Sequence, residues 1–92
     1  MAPLDDAEIE QRLGRLPGWQ RTGAEIRKSF DRGDFSGSVE FVSRLAEPAN
    51  AMNHHPDLEI SWDTVTVRLS THSEGGLTAA DFELAEQIDA LA

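Results

Sequence analysis

The chain has 92 residues, and its 17 acidic side chains against 8 Lys and Arg give a formal charge of -9. That charge repels phosphate backbones, and the scattered basic residues form no stripe to offset it, so direct nucleic-acid binding is not expected. The absence of cysteine removes disulfides, thiolate metal sites and thiol nucleophiles, and this length supports one small core, so residues 1–92 are expected to form a single domain.

No apolar run approaches the roughly 20 residues that span a bilayer, and Met1-Ala2-Pro3-Leu4-Asp5-Asp6 lacks the basic start and apolar stretch of a signal peptide. A soluble cytoplasmic protein is the expectation. A first helix should begin after Asp5, which can cap free amides, with Glu8 three positions on and Leu4 and Ile9 as a hydrophobic staple. Gly14 and Pro17 end it. Residues Trp19 to Phe30 read as two strands joined near Thr22-Gly23, with Ile26, Lys28 and Phe30 alternating against Glu25, Arg27 and Ser29.

After the Asp31-Arg32-Gly33-Asp34 loop, Val39, Val42, Ala46 and Ala49 recur at helical spacing, reinforced by Phe41, Leu45 and Met52. Pro48 removes one amide donor inside this stretch, yet the apolar period continues to Met52, which predicts a kinked helix rather than a terminated one. Leu58 and Ile60, a turn at Trp62-Asp63, then Val65, Val67 and Leu69 form a second hairpin. Thr78 and Asp81 make a capping box for a last helix carrying Phe82, Leu84, Ala85, Ile88 and Leu91, with Leu77 and Phe82 as its staple. The order α-β-β-α-β-β-α predicts an α+β fold in which a single four-stranded antiparallel sheet carries three helices on one face.

All three histidines lie in two clusters, His54-His55-Pro56 and Thr71-His72. Pro56 pushes His55 toward extended geometry, while His54 falls at the end of the long helix, so the pair marks a helix-to-strand junction. His72 shares parity with Thr64, Thr66, Arg68 and Ser70 and should emerge on the polar face just beyond its strand. A hairpin turning at Trp62-Asp63 brings its outer ends together, so His54, His55 and His72 can meet. Three readings compete: a three-histidine metal site, for which no HExxH or carboxylate set is present; a structural role in the turn; and general acid–base chemistry, which the histidine pKa near 6.5 favours.

The pattern Asn50-x3-His54-His55-Pro56, then Trp62, Ser70-Thr71-His72, Gly76-Leu77-Thr78 and Asp81 resembles the pterin-4a-carbinolamine dehydratase family over nearly the whole chain. Arg44 and Leu84-Ala85 are similar too. The resemblance implies removal of water from a 4a-hydroxytetrahydropterin to give the quinonoid dihydropterin, in support of aromatic amino-acid hydroxylation, with neither metal nor organic cofactor. It implies His54 and His72 as acid and base, His55 as a group that binds or orients the pterin, and Asn50, Trp62, Thr71 and Asp81 as further site residues. Trp62 has a competing structural role, plugging the hairpin turn against the core, and Asp81 has one as a helix cap. A homodimer or homotetramer is implied as well.

The family usually carries a charged residue where this chain has Asn50, and often Trp where it has Leu58. Asn can hydrogen-bond a pterin amide but cannot ionise. An alternative follows: a weak or inactive member acting as an assembly, scaffold or dimerisation protein. Relatives of the family include a dimerisation cofactor for a transcription factor and an assembly factor for the carbon-fixing enzyme of carboxysomes.

Overall fold

The computed structural model describes residues 2–92. Helix α1 (Asp6–Leu13) starts where Asp5 accepts the Glu8 amide at 2.9 Å and stops at Gly14. Strands β1 (Gln20–Thr22) and β2 (Glu25–Asp31) pair antiparallel, with Arg21 opposite Ile26. Gly23, at φ +59°, carries the turn between them, a left-handed conformation that glycine adopts without steric cost.

Helix α2 (Phe35–Met52) runs through Pro48 without ending, as the apolar period predicted. Its start is tightly built. Asp34 accepts the Gly37 amide at 2.6 Å, and a side chain at Gly37 would collide with the Arg32 carbonyl oxygen. Strands β3 (Asp57–Ser61) and β4 (Thr64–Leu69) follow, then a 3₁₀ turn at His72–Glu74 and helix α3 (Ala79–Leu91). The Thr78 and Asp81 capping box forms, and the staple residues Leu77 and Phe82 are both buried.

The sheet order is β1-β2-β4-β3, so the two hairpins join through β2 and β4, with Ile26 opposite Leu69 and Phe30 opposite Val65. Period-2 alternation then sorts the faces. Ile26, Phe30, Val65, Val67 and Leu69 are buried with Phe41 and Leu45 of α2, Leu84 and Ile88 of α3, and Ile9 of α1. Arg27, Ser29, Thr66 and Arg68 occupy the other face, where the Ser29 and Thr66 hydroxyls bond at 2.9 Å. This is the predicted sheet with three helices on one side. Each fully buried Leu or Ile contributes about 1.5–3 kcal/mol.

The α2 face differs from the sequence reading. Ser38, Phe41, Leu45 and Ala49 are buried, whereas Val39 is 47 % exposed, Ala46 is exposed, and Val42 and Met52 are only half-buried. The helix is rotated by about one position because the Ser38 hydroxyl donates to the Trp62 carbonyl at 2.8 Å, pinning its first turn under the β3–β4 turn. Lys28 lies on the core side of β2, and its amine escapes to the edge, where it meets Asp89 at 2.9 Å. The Trp19 indole N–H donates to the same carboxylate, so α3 is tied to the start of the sheet.

Candidate active site

The end of α2 sets the site. Asn53 takes the left-handed conformation at φ 50°, and the His54 amide returns to the Ala49 carbonyl at 3.0 Å, a Schellman-type stop. The chain reverses there, so the His54 ring turns inward, its side chain 14 % exposed, before Pro56 directs the backbone into β3. His54 Nε2 lies 2.6 Å from Asp81 Oδ1.

Asp81 is fully buried in the first turn of α3. Its Oδ2 accepts the Thr78 amide at 2.9 Å and the Thr71 hydroxyl at 2.8 Å. With Thr71 donating to Asp81, Thr78 Oγ1 donates to Thr71 Oγ1 across 2.9 Å and itself accepts the Ala80 amide. These bonds saturate Oδ2, and Oδ1 is left facing His54 Nε2, which therefore carries the proton. The other nitrogen, Nδ1, remains available to accept one. Asp81 is thus both the helix cap and the group that fixes the His54 ring; local spacing revealed the cap, but the second oxygen reaches a histidine 27 positions away.

His72 opens the 3₁₀ turn rather than extending β4, because pairing stops at Leu69. Its side chain is 84 % exposed, with Nε2 at 3.0 Å from Ser70 Oγ and 3.9 Å from Asp57 Oδ2. His55 Nε2 donates to Asn50 Oδ1 at 3.0 Å, so the Asn50 carbonyl is occupied in orienting His55.

The β3–β4 register gathers these groups. Asp57 pairs with Arg68, which places the start of β3, just after His55, beside the end of β4, just before His72. Thr71 then links His72 through Asp81 to His54. Trp62 is not brought in. It sits at the opposite end of the hairpin, beyond the Ser61–Thr64 pair, which is itself about 13 Å of strand from Asp57 at ~3.3 Å per residue. Trp62 is 70 % exposed, so it does not plug the turn against the core, and its backbone takes the left-handed conformation at φ 52°. Ser70 and Glu25 also face this region, and the local sequence marks neither beyond the place of Ser70 in the Ser70-Thr71-His72 run.

A cavity of about 250 Å³ opens beside His72, lined also by Ser70, Thr71, Gly76, Thr22 and Glu25. Among the described residues no group of three or more His, Asp or Glu is arranged to hold a metal ion, and no helix is long and apolar enough to cross a membrane.

A four-stranded sheet layered with helices, bearing three histidines and a buried carboxylate at one sheet end, defines a small α+β protein. Residues 2–91 match the family described as Pterin 4 alpha carbinolamine dehydratase. The chain belongs to that family. A relative from Roseiflexus castenholzii, provisionally named pterin-4-alpha-carbinolamine dehydratase, is 56 % identical over 88 residues, covering 96 % of this chain and 95 % of its own length. The crystal structure of a transcriptional coactivator/pterin dehydratase from Brucella melitensis superposes with a TM-score of 0.93 at 35 % identity, covering 98 % of both chains. A pterin dehydratase-like protein identified as a RuBisCO assembly factor in the alpha-carboxysome shares the fold, with a TM-score of 0.65 at 24 % identity over 80 % of this chain and 86 % of its own.

Proposed function

We propose that the protein removes water from 4a-hydroxytetrahydropterin to give quinonoid dihydropterin, by histidine acid–base catalysis and with no cofactor. In this step the C4a–oxygen bond breaks as the hydroxyl gains a proton and leaves as water. N5 loses its proton, and the N5–C4a double bond forms. The observation that carries the reading is the 2.6 Å contact between His54 and the buried Asp81. A carboxylate that holds one imidazole nitrogen protonated leaves the other as an oriented base, the logic of a histidine positioned by a third group. His54 Nδ1 takes the N5 proton, and the exposed His72, which exchanges protons with water, supplies the acid. His55, held by Asn50, orients the ring, and Thr71 supports the site through Asp81.

The test follows quinonoid product by absorbance for wild type, His72→Ala and Asn50→Glu. His72→Ala is expected to lower the rate by about 10²-fold or more. Asn50→Glu keeps an acceptor for His55 and is expected to retain or raise activity. Wild-type rates equal to buffer would remove the enzyme reading and leave the alternative, a scaffold or dimerisation protein, which Asn50 in place of a charged residue favours.

We further propose a homodimer or homotetramer in the cytoplasm, with Trp62 serving contacts between copies. Its support is the large apolar side chains left in solvent, Phe35 at 57 %, Val39, Ile60 and Trp62, on a domain with little core to spare. Sedimentation equilibrium is expected to return a multiple of the 10.1 kDa chain mass for wild type and a smaller species for Trp62→Ala with Val39→Asp. A wild-type monomer throughout the micromolar range would refute this assembly.

A further inference from the structure

We infer that Glu25 anchors the 2-amino-pyrimidine edge of the substrate, acting as a specificity-determining residue supplied by the first hairpin. This deepens the dehydratase reading and rests on it. The β2–β4 register, with Ile26 opposite Leu69, carries Glu25 to the position facing Ser70, on the side of the Ser70–His72 segment away from β3. His72 therefore stands between two half-sites. On one side it faces Asp57 and the start of β3; on the other it lines the 250 Å³ cavity together with Glu25.

Glu25 is half-buried as a residue, and its carboxylate forms no ion pair or side-chain hydrogen bond among the described residues. A carboxylate on a half-buried, cavity-lining residue that is given no donor favours a ligand that brings donors. A pterin presents two parallel N–H groups, from the 2-amino nitrogen and N3, in the spacing a carboxylate accepts bidentately. The reacting C4a is the ring-fusion carbon opposite C2 across the pyrimidine ring, so a ring anchored on Glu25 through its 2-amino edge directs C4a into the cavity that His72 also lines. Among the residues that line this cavity Glu25 carries the one carboxylate: Asp57 meets His72 from the β3 side, Asp81 is saturated by Thr71, Thr78 and His54, and the Asn50 carbonyl is held by His55. The turn before Glu25 is braced, since the Arg21 guanidinium donates to the Gly23 carbonyl at 2.8 Å and pairs with Asp6 at 2.9 Å.

Calorimetric titration with 6-methylpterin and with 6-methyllumazine, in which a carbonyl replaces the 2-amino group, tests the inference on wild type, Glu25→Gln and Glu10→Gln. Glu10 is an exposed α1 residue whose change matches the loss of charge. Wild type is expected to prefer the pterin by about tenfold or more, as for loss of one charge-assisted bond. Glu25→Gln should bring the preference to near unity, and Glu10→Gln should leave it intact. An unchanged preference in Glu25→Gln, or an equal loss in both variants, overturns the role of Glu25 while leaving the dehydratase reading in place. Binding of neither ring by a folded wild type overturns both, and the dehydration assay separates the two failures.

Discussion

Asp81→Asn should lower the rate of pterin dehydration by about 10²- to 10⁴-fold, close to the loss expected for His54→Ala, which removes the base itself. The amide must still place its oxygen toward the Thr78 amide and the Thr71 hydroxyl, because both are donors. Its NH₂ then faces His54 Nε2. That nitrogen must become an acceptor, the proton moves to Nδ1, and the face offered to substrate can no longer take a proton. The ring stays in place but presents the wrong tautomer. Nitrogen-15 chemical shifts of the His54 imidazole should report the change, which a purely structural role for Asp81 would not produce. Thermal denaturation should show only a modest loss, since Asn retains much of the capping geometry. A fully active Asp81→Asn, or one with Nδ1 still unprotonated, would show that Asp81 is a helix cap and nothing more.

Phe41→Ala is expected to destabilise the protein by about 3–5 kcal/mol, measured as a shift of the urea unfolding midpoint. Phe41 is completely buried where α2 crosses the sheet. Its ring centroid lies 5.0 Å from that of Phe30, and the Arg32 guanidinium stacks at 4.7 Å on its face. Truncation leaves a cavity and also strips Arg32 of its ring, although Arg32 Nε is already buried without a hydrogen-bond partner among the described residues. Domains of this kind are stable by only about 5–15 kcal/mol in total, so the variant should sit near its unfolding threshold. Phe41→Leu, which keeps most of the volume, should cost roughly half as much or less. A loss of about 1 kcal/mol or less for the alanine variant would mean that the neighbouring rings collapse into the space and that this junction is not the centre of the core.

Much of the architecture was legible because its causes are local. Asp5 with Glu8, and Thr78 with Asp81, are capping pairs three residues apart, and both form as read. The alternation of Val65, Val67 and Leu69 with polar residues, joined to a two-residue turn, specified the second hairpin. Pro48 was correctly outweighed by the apolar period that continues to Met52. The candidate site was legible in part: His54, His55, His72, Thr71 and Asp81 do collect at one sheet end, while Trp62 lies at the other.

Helix periodicity gives a face but not its rotation. Val39 and Phe41 were both plausible core positions, and Ser38 bonding to Trp62, 24 residues away, decided between them. Likewise a capping box is complete within four residues, so nothing in the local pattern asks where the second Asp81 oxygen points. Sequence by itself determined the elements, their order and the chemical types available, because propensity, capping and alternation act over a few residues. The tertiary structure alone decided that His54 Nε2 faces Asp81 and that Glu25 shares a cavity with His72, because each depends on distances between segments that only the packed sheet brings together.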